Sequence, residues 1–187
     1  RRFFTIASSP TEDKVKLGVK FNELPSSFKK NLLELDQNKT IFAGQLGGDF
    51  VLPSDLNKKL VFLAGGIGVT PFRSMIKYLL DKGERRDIIL FYAVKSEEEI
   101  AYKEIFSEAE SKIGLKVNYV VGQIITRELI ARHWAGGSAN PDGGKDFKNC
   151  TYYISGPEAM VTAFKKILHS MNIPRSQIVT DYFPGFA

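Results

Sequence analysis

The chain has 187 residues, 43% of them hydrophobic, a single cysteine and a formal net charge of +5. This size and apolar content support a buried core and exclude a disordered tail or a staple-dependent miniprotein; the lone Cys150 excludes an intrachain disulfide. The 26 basic residues are spread along the chain among 21 acidic ones, whereas a nucleic-acid surface needs cations clustered on one face beside stacking aromatics.

No Cys/His cluster has metal-ligand spacing, so no metal is expected. No apolar run approaches the roughly 20 residues of a membrane span, and no charged-then-apolar leader pattern stands at the front. With cysteine so scarce, a reducing compartment is expected, either the cytoplasm or the cytoplasmic face of a membrane complex.

The opening RRFFTIASSP reads as a strand running into a turn, because Phe3, Phe4, Thr5 and Ile6 are strand formers and Ser8-Ser9-Pro10 punctuates. Further strand-like pieces lie at residues 15–21 and 40–43. Between them a short helix is expected from Pro25-Ser26-Ser27, with Ser26 as N-cap and Phe28, Leu32 and Leu33 buried. Residues 1–55 thus read as part of a small β-rich domain.

Residues 56–187 follow a different rhythm. KLVFLAG, DIILFYAV, LKVNYVV, TYYIS and QIVTDYF are strand candidates, and PFRSMIKYLL, EIAYKEIF, RELIARHW and EAMVTAFKKIL carry helical periodicity between them. Alternating βα units imply an α/β fold with a doubly wound parallel sheet covered on both faces. Residues 135–149, rich in glycine and holding Pro141, read as a long surface loop before the fourth strand.

The densest local signal is AGGIGVTPFRSM, where a strand turns sharply into a helix. Gly65, Gly66 and Gly68 let the backbone bend and leave room for a ligand. Thr70 or Val69 then opens the helix, with Pro71 in its first turn where a missing N–H costs little. Free N–H groups and the positive end of the helix dipole suit a pyrophosphate, although a strand-to-helix turn can also need glycine for packing alone. SGPEAM repeats the design at the fourth strand, with Ser155 as a possible helix cap. In doubly wound sheets the first and fourth strands are often neighbours where strand order reverses, so both turns would line one crevice.

RFFT, GGDFVLP, GGIGVTP, SGPEAM and DYF together resemble the ferredoxin–NADP reductase family in order and approximate spacing. The resemblance covers nearly the whole chain. It implies a Rossmann-like nucleotide domain preceded by part of an antiparallel flavin barrel. It also implies an oxidoreductase in which hydride passes between NAD(P)H and FAD, and electrons leave singly for an acceptor such as an iron–sulfur or haem protein.

Carried onto this sequence, the resemblance pairs Arg2 with the FAD pyrophosphate, packs Phe4 on the isoalloxazine and sets the Thr5 hydroxyl near flavin N5. Ser26 and Ser27 correspond to the phosphate-contacting start of a short helix. Gly65, Gly66, Gly68, Thr70 and Pro71 cradle the nicotinamide nucleotide, Ser155 lies beside its reactive ring, and Gly156 with Pro157 shapes the far wall. Asp181 stands near the flavin edge, and Phe183, with Tyr182 or Phe186 as the alternative, shields the flavin until the nicotinamide displaces it.

The sequence departs from the family in two of these places, with Ser155 where most members have cysteine and Asp181 where glutamate is usual. The family's barrel also has strands ahead of the arginine motif, so flavin affinity is expected to need residues beyond these 187. NADH is slightly favoured over NADPH, because Val120-Val121-Gly122-Gln123 offers no cluster for a 2′-phosphate; Lys95, Ser96 and Arg127 are the possible substitutes. The rival reading is a nucleotide-binding or docking module of a larger redox complex, without turnover of its own.

Overall fold

The computed structural model describes residues 2–21, 23–134 and 149–183. Five parallel strands form its sheet, β1 (Lys59–Gly65), β2 (Ile88–Val94), β3 (Lys116–Val121), β4 (Cys150–Pro157) and β5 (Ile178–Phe183), in the order β3-β2-β1-β4-β5. α1 (Ser27–Leu33) precedes them, and α2 (Thr70–Lys82), α3 (Lys103–Ile113), α4 (Arg127–Trp134) and α5 (Glu158–Ser170) alternate with the strands.

The near-continuous apolar runs of β1 and β2 are what a strand covered on both faces requires. Successive residues of β1 alternate sides: Leu60, Phe62 and Ala64 enter one core with Phe72, Ile76 and Leu79 of α2 and Phe106 and Ile113 of α3. Val61 and Leu63 enter the other, with Ile130 of α4 and Val161, Phe164 and Leu168 of α5. Gly83 ends α2 and Gly114 ends α3 in the left-handed conformation, a common helix stop. No helix among the described residues is long and apolar enough to cross a membrane.

The amino-terminal third departs from expectation. Residues 15–21 and 40–43 form no strand; the one pairing there among the described residues is the isolated antiparallel bridge Ile6↔Leu17. A strand needs hydrogen-bond partners from a neighbouring strand, and β-rich composition cannot supply them. α1 forms with Ser26 as its cap, the hydroxyl accepting from Lys29 N at 3.5 Å, but the helix buries none of its residues. Phe28, Leu33, Ile41, Phe42 and Leu46 are instead exposed. Residues 135–148 of the expected loop, and Pro184, Gly185 and Phe186 of the tail, lie outside the described residues.

Segment 47–53 has a firmer place. Phe50 packs edge-on to Tyr153 and beside Phe72, the Tyr153 hydroxyl donates to Val51 O at 2.7 Å, and Arg86 Nη1 donates to Pro53 O at 2.7 Å.

Candidate functional site

β1 ends at Gly65, a 3₁₀ turn covers Gly66–Val69, and α2 starts at Thr70 with Pro71 in its first turn. β1 and β4 are neighbours at the point where strand order reverses, which is where ligands sit in such sheets. Their two glycine turns meet there: a Cβ added to Gly68 would collide with the Ser155 carbonyl and come within 2.6 Å of Gly156 Cα.

Ser155 pairs in register with Ala64 on one side and Asp181 on the other. It is wholly buried, and among the described residues its hydroxyl has no hydrogen-bond partner. An unmatched buried hydroxyl costs about 1–3 kcal/mol. Thr70 has a different local part. Its hydroxyl donates to Ile67 O at 2.6 Å, tightening the turn, and its side chain lies against Gly18 of the amino-terminal segment.

That segment reaches the same sheet edge. Thr5 Oγ1 donates to Asp181 Oδ2 at 3.0 Å across 176 residues of sequence. Burial pushes the Asp181 carboxyl above its ordinary value, with the Thr5 hydroxyl acting in the opposite direction. Phe4 stacks on Phe28 with centroids 5.8 Å apart, setting the Arg2–Thr5 stretch beside α1, where Arg2 and Ser27 are exposed and Ser26 is half-buried. Gly156 pairs with Tyr182, and Pro157 pairs with Phe183 at the end of β5. Thr5, Asp181 and Ser155 therefore lie together, whereas Arg2, Phe4, Ser26 and Ser27 form a separate, more open group.

The Asp181 carboxyl permits a test by pH. A carboxyl whose folded pKa is raised binds its proton more tightly folded than unfolded, so the ionised form costs stability above the folded pKa. The cost fades as pH falls towards the unfolded value near 3.9. Asp181→Asn, which keeps an acceptor for Thr5, is expected to raise Tm at pH 7 and to converge on the parent below about pH 4. Thermal unfolding across that range checks it; a lower Tm at pH 7 would mean that the carboxylate is stabilising.

Sequence reading missed Arg73 and Glu12. Arg73 is buried where α2 meets the amino-terminal segment, donating through Nη1 to Ala7 O at 3.0 Å and through Nη1 and Nη2 to the Glu12 carboxylate. The signal was an arginine set inside the apolar stripe of PFRSMI, since a buried cation needs a partner somewhere in the fold.

A parallel sheet in this strand order, with two glycine turns converging on its switch point, defines a Rossmann-like, doubly wound α/β protein. The chain belongs to the oxidoreductase NAD-binding domain family, which matches residues 62–166. It is 28% identical over 199 residues to oxidoreductase NAD-binding domain-containing protein 1 of Pongo abelii, covering 94% of this chain and 63% of that protein. Ferredoxin–NADP+ reductase from Plasmodium falciparum has the same fold, with a TM-score of 0.76, 19% identity and coverage of 97% of this chain and 77% of that one. So does flavohemoglobin from Malassezia yamatoensis, solved with bound FAD and heme, with a TM-score of 0.70, 21% identity and coverage of 98% and 47%. The chain thus spans less than two thirds of the Pongo abelii protein and about half of the flavohemoglobin.

Proposed function

We propose that the protein is a flavin-dependent oxidoreductase that moves hydride between a nicotinamide nucleotide and FAD and passes electrons singly to an iron–sulfur or haem acceptor. Family membership supports an oxidoreductase, and the observation that carries the finer reading is the Ser155 hydroxyl, buried and unmatched between two glycine turns. It lies in register with an aspartate that the amino-terminal segment contacts through Thr5.

The residues present fit both groups. Gly65, Gly66, Gly68 and Pro71 shape the turn that receives the nucleotide, Thr70 holds it closed, and α2 turns its positive end toward the phosphates. Ser155 orients the nicotinamide through its hydroxyl, with Gly156 and Pro157 as the opposite wall. Arg2 grips the flavin pyrophosphate beside Ser26 and Ser27, Phe4 packs on the ring system, and Thr5 and Asp181 stand at its edge. Phe183 is assigned to cover the ring until nicotinamide arrives. FAD, when bound, supplies a two-electron acceptor that can release its electrons one at a time. Hydride transfer needs two rings aligned rather than an acid or base, so these residues work by binding, orienting and excluding water. The excess of basic over acidic side chains suits an acidic acceptor protein.

The test is anaerobic addition of NADH or NADPH to the full-length polypeptide loaded with FAD, following the flavin absorbance. Bleaching is expected with both nucleotides and a higher kcat/KM with NADH. A ratio favouring NADPH by more than about tenfold, about 1.4 kcal/mol, would overturn the preference. Nucleotide binding without bleaching would identify a docking module instead of a reductase.

A further inference from the structure

The amino-terminal stretch that carries Thr5 runs on into a loop that makes several contacts with α2. Ala7, Ser8 and Ser9 are buried. Ala7 N donates to Lys16 O at 2.7 Å and Lys16 N donates to Ser8 Oγ at 3.0 Å, closing residues 6–17 into a tight loop around the Ile6↔Leu17 bridge. Arg73 holds that loop from α2. Its Nη1 takes Ala7 O, and Nη1 and Nη2 together take both oxygens of Glu12, while the guanidinium lies 5.8 Å from the Tyr102 ring centroid.

Glu12 in turn accepts from Ser9 N at 2.8 Å and Lys16 Nζ at 2.7 Å. The Arg73 guanidinium beside it holds its carboxyl far below the usual carboxylate range. Ser74 Oγ donates to Ser8 O at 2.8 Å, and Thr11 reaches Asp81 further along α2.

The placement of this clasp gives it a consequence for the site. Arg73 lies one helical turn beyond Thr70, where α2 leaves the nucleotide turn, and the carbonyl it grips is two residues beyond Thr5. One fork therefore links the two halves that must align.

We propose that Arg73 and Glu12 are positioning residues for hydride transfer, fixing the Thr5 segment against the helix of the nucleotide turn and so setting how the flavin and nicotinamide rings meet. This rests on the reductase reading above. Only a planar fork reaches a carbonyl and both oxygens of a carboxylate at once; a lysine ammonium keeps the charge and loses the geometry. Because misplacing reacting atoms by about 1 Å can cost on the order of 100-fold in rate, losing the fork should slow the chemical step more than binding.

The test compares the FAD-loaded full-length protein with Arg73→Lys and Glu12→Gln. Three readouts are taken: flavin reduction at saturating NADH by stopped flow, the primary isotope effect with 4-deuterated NADH, and amide exchange at Ala7, Ser9 and Lys16. Both variants are expected to exchange these amides faster and to reduce flavin at least about tenfold more slowly, with an altered isotope effect. FAD content and NADH affinity should stay within about twofold of the parent, which separates positioning from binding. Faster exchange with an unchanged reduction rate and isotope effect would make the clasp a stability element only, as would failure of both variants to remain folded. A parent that binds NADH without bleaching would overturn the reductase reading and this role together, whereas a bleaching parent with equally fast variants would overturn the role alone.

Discussion

Gly68→Val is expected to lower stability by about 1–3 kcal/mol or more and to weaken nicotinamide nucleotide binding by at least about tenfold. An added Cβ would land on the Ser155 carbonyl, and that carbonyl cannot retreat. It belongs to β4, which is paired on both sides, with β1 and with β5. The turn itself must move instead, away from Ser155. At about 2–4 °C per kcal/mol for a chain of this size, the loss is readable by thermal unfolding, and titration calorimetry with NADH and NADPH reads the binding. Gly66→Asn is the control. Gly66 has φ 52° with nothing within 4 Å of an added Cβ, so asparagine, which tolerates the left-handed region, should cost about 1 kcal/mol or less of stability. Equal losses at both positions would show that the whole turn is fragile and that crowding against β4 is not the cause.

The contrast between the two ends of the chain explains what could be read in advance. The five strands and the helices between them were legible because their signals are local: apolar runs for strands covered on both faces, periodic stripes for helices, glycine and proline at the turns. Adjacency of β1 and β4 followed from the general rule for doubly wound sheets. The misplaced expectations all depended on partners distant in sequence. Residues 15–21 and 40–43 look like strands but find no ladder among the described residues, and α1 leaves Leu33 exposed and Phe28 covered only in part, by Phe4.

The same holds at the site. Thr5, Ser155 and Asp181 were each singled out separately, yet nothing local reveals that Thr5 bonds to Asp181 or that Asp181 stands opposite Ser155 in register. Glu12 and Arg73 are 61 residues apart, and their pairing becomes visible only when residues 6–17 fold onto α2. Phe50 belonged to a stretch noted for its resemblance, but its packing under Tyr153 and Phe72, which pins segment 47–53 to the nucleotide sheet, carries no local signature.

Arg2→Ala is expected to weaken FAD binding to the full-length polypeptide by roughly 10- to 150-fold, leaving the nucleotide turn untouched. Arg2 is exposed two residues ahead of Phe4, whose ring stacks on Phe28 in the first turn of α1. Arg2 is thus close in sequence to a ring held at the start of α1, where Ser26 caps the helix. A pyrophosphate lying there would meet a cation on one side and hydroxyl and amide donors on the other. Charge-assisted bonds of this kind contribute about 1.5–3 kcal/mol each, which sets the expected range. Arg2→Lys keeps the charge but not the two-pronged geometry and should fall between parent and alanine. Salt should narrow the difference, because an exposed ion pair is screened over about 8–10 Å at ordinary ionic strength. Flavin fluorescence during titration with FAD reads all three proteins, and NADH binding to the same samples is the internal reference. An alanine variant that holds FAD as tightly as its parent at low salt would remove Arg2 from the flavin site and leave α1 and the Phe4–Phe28 stack without an assigned ligand.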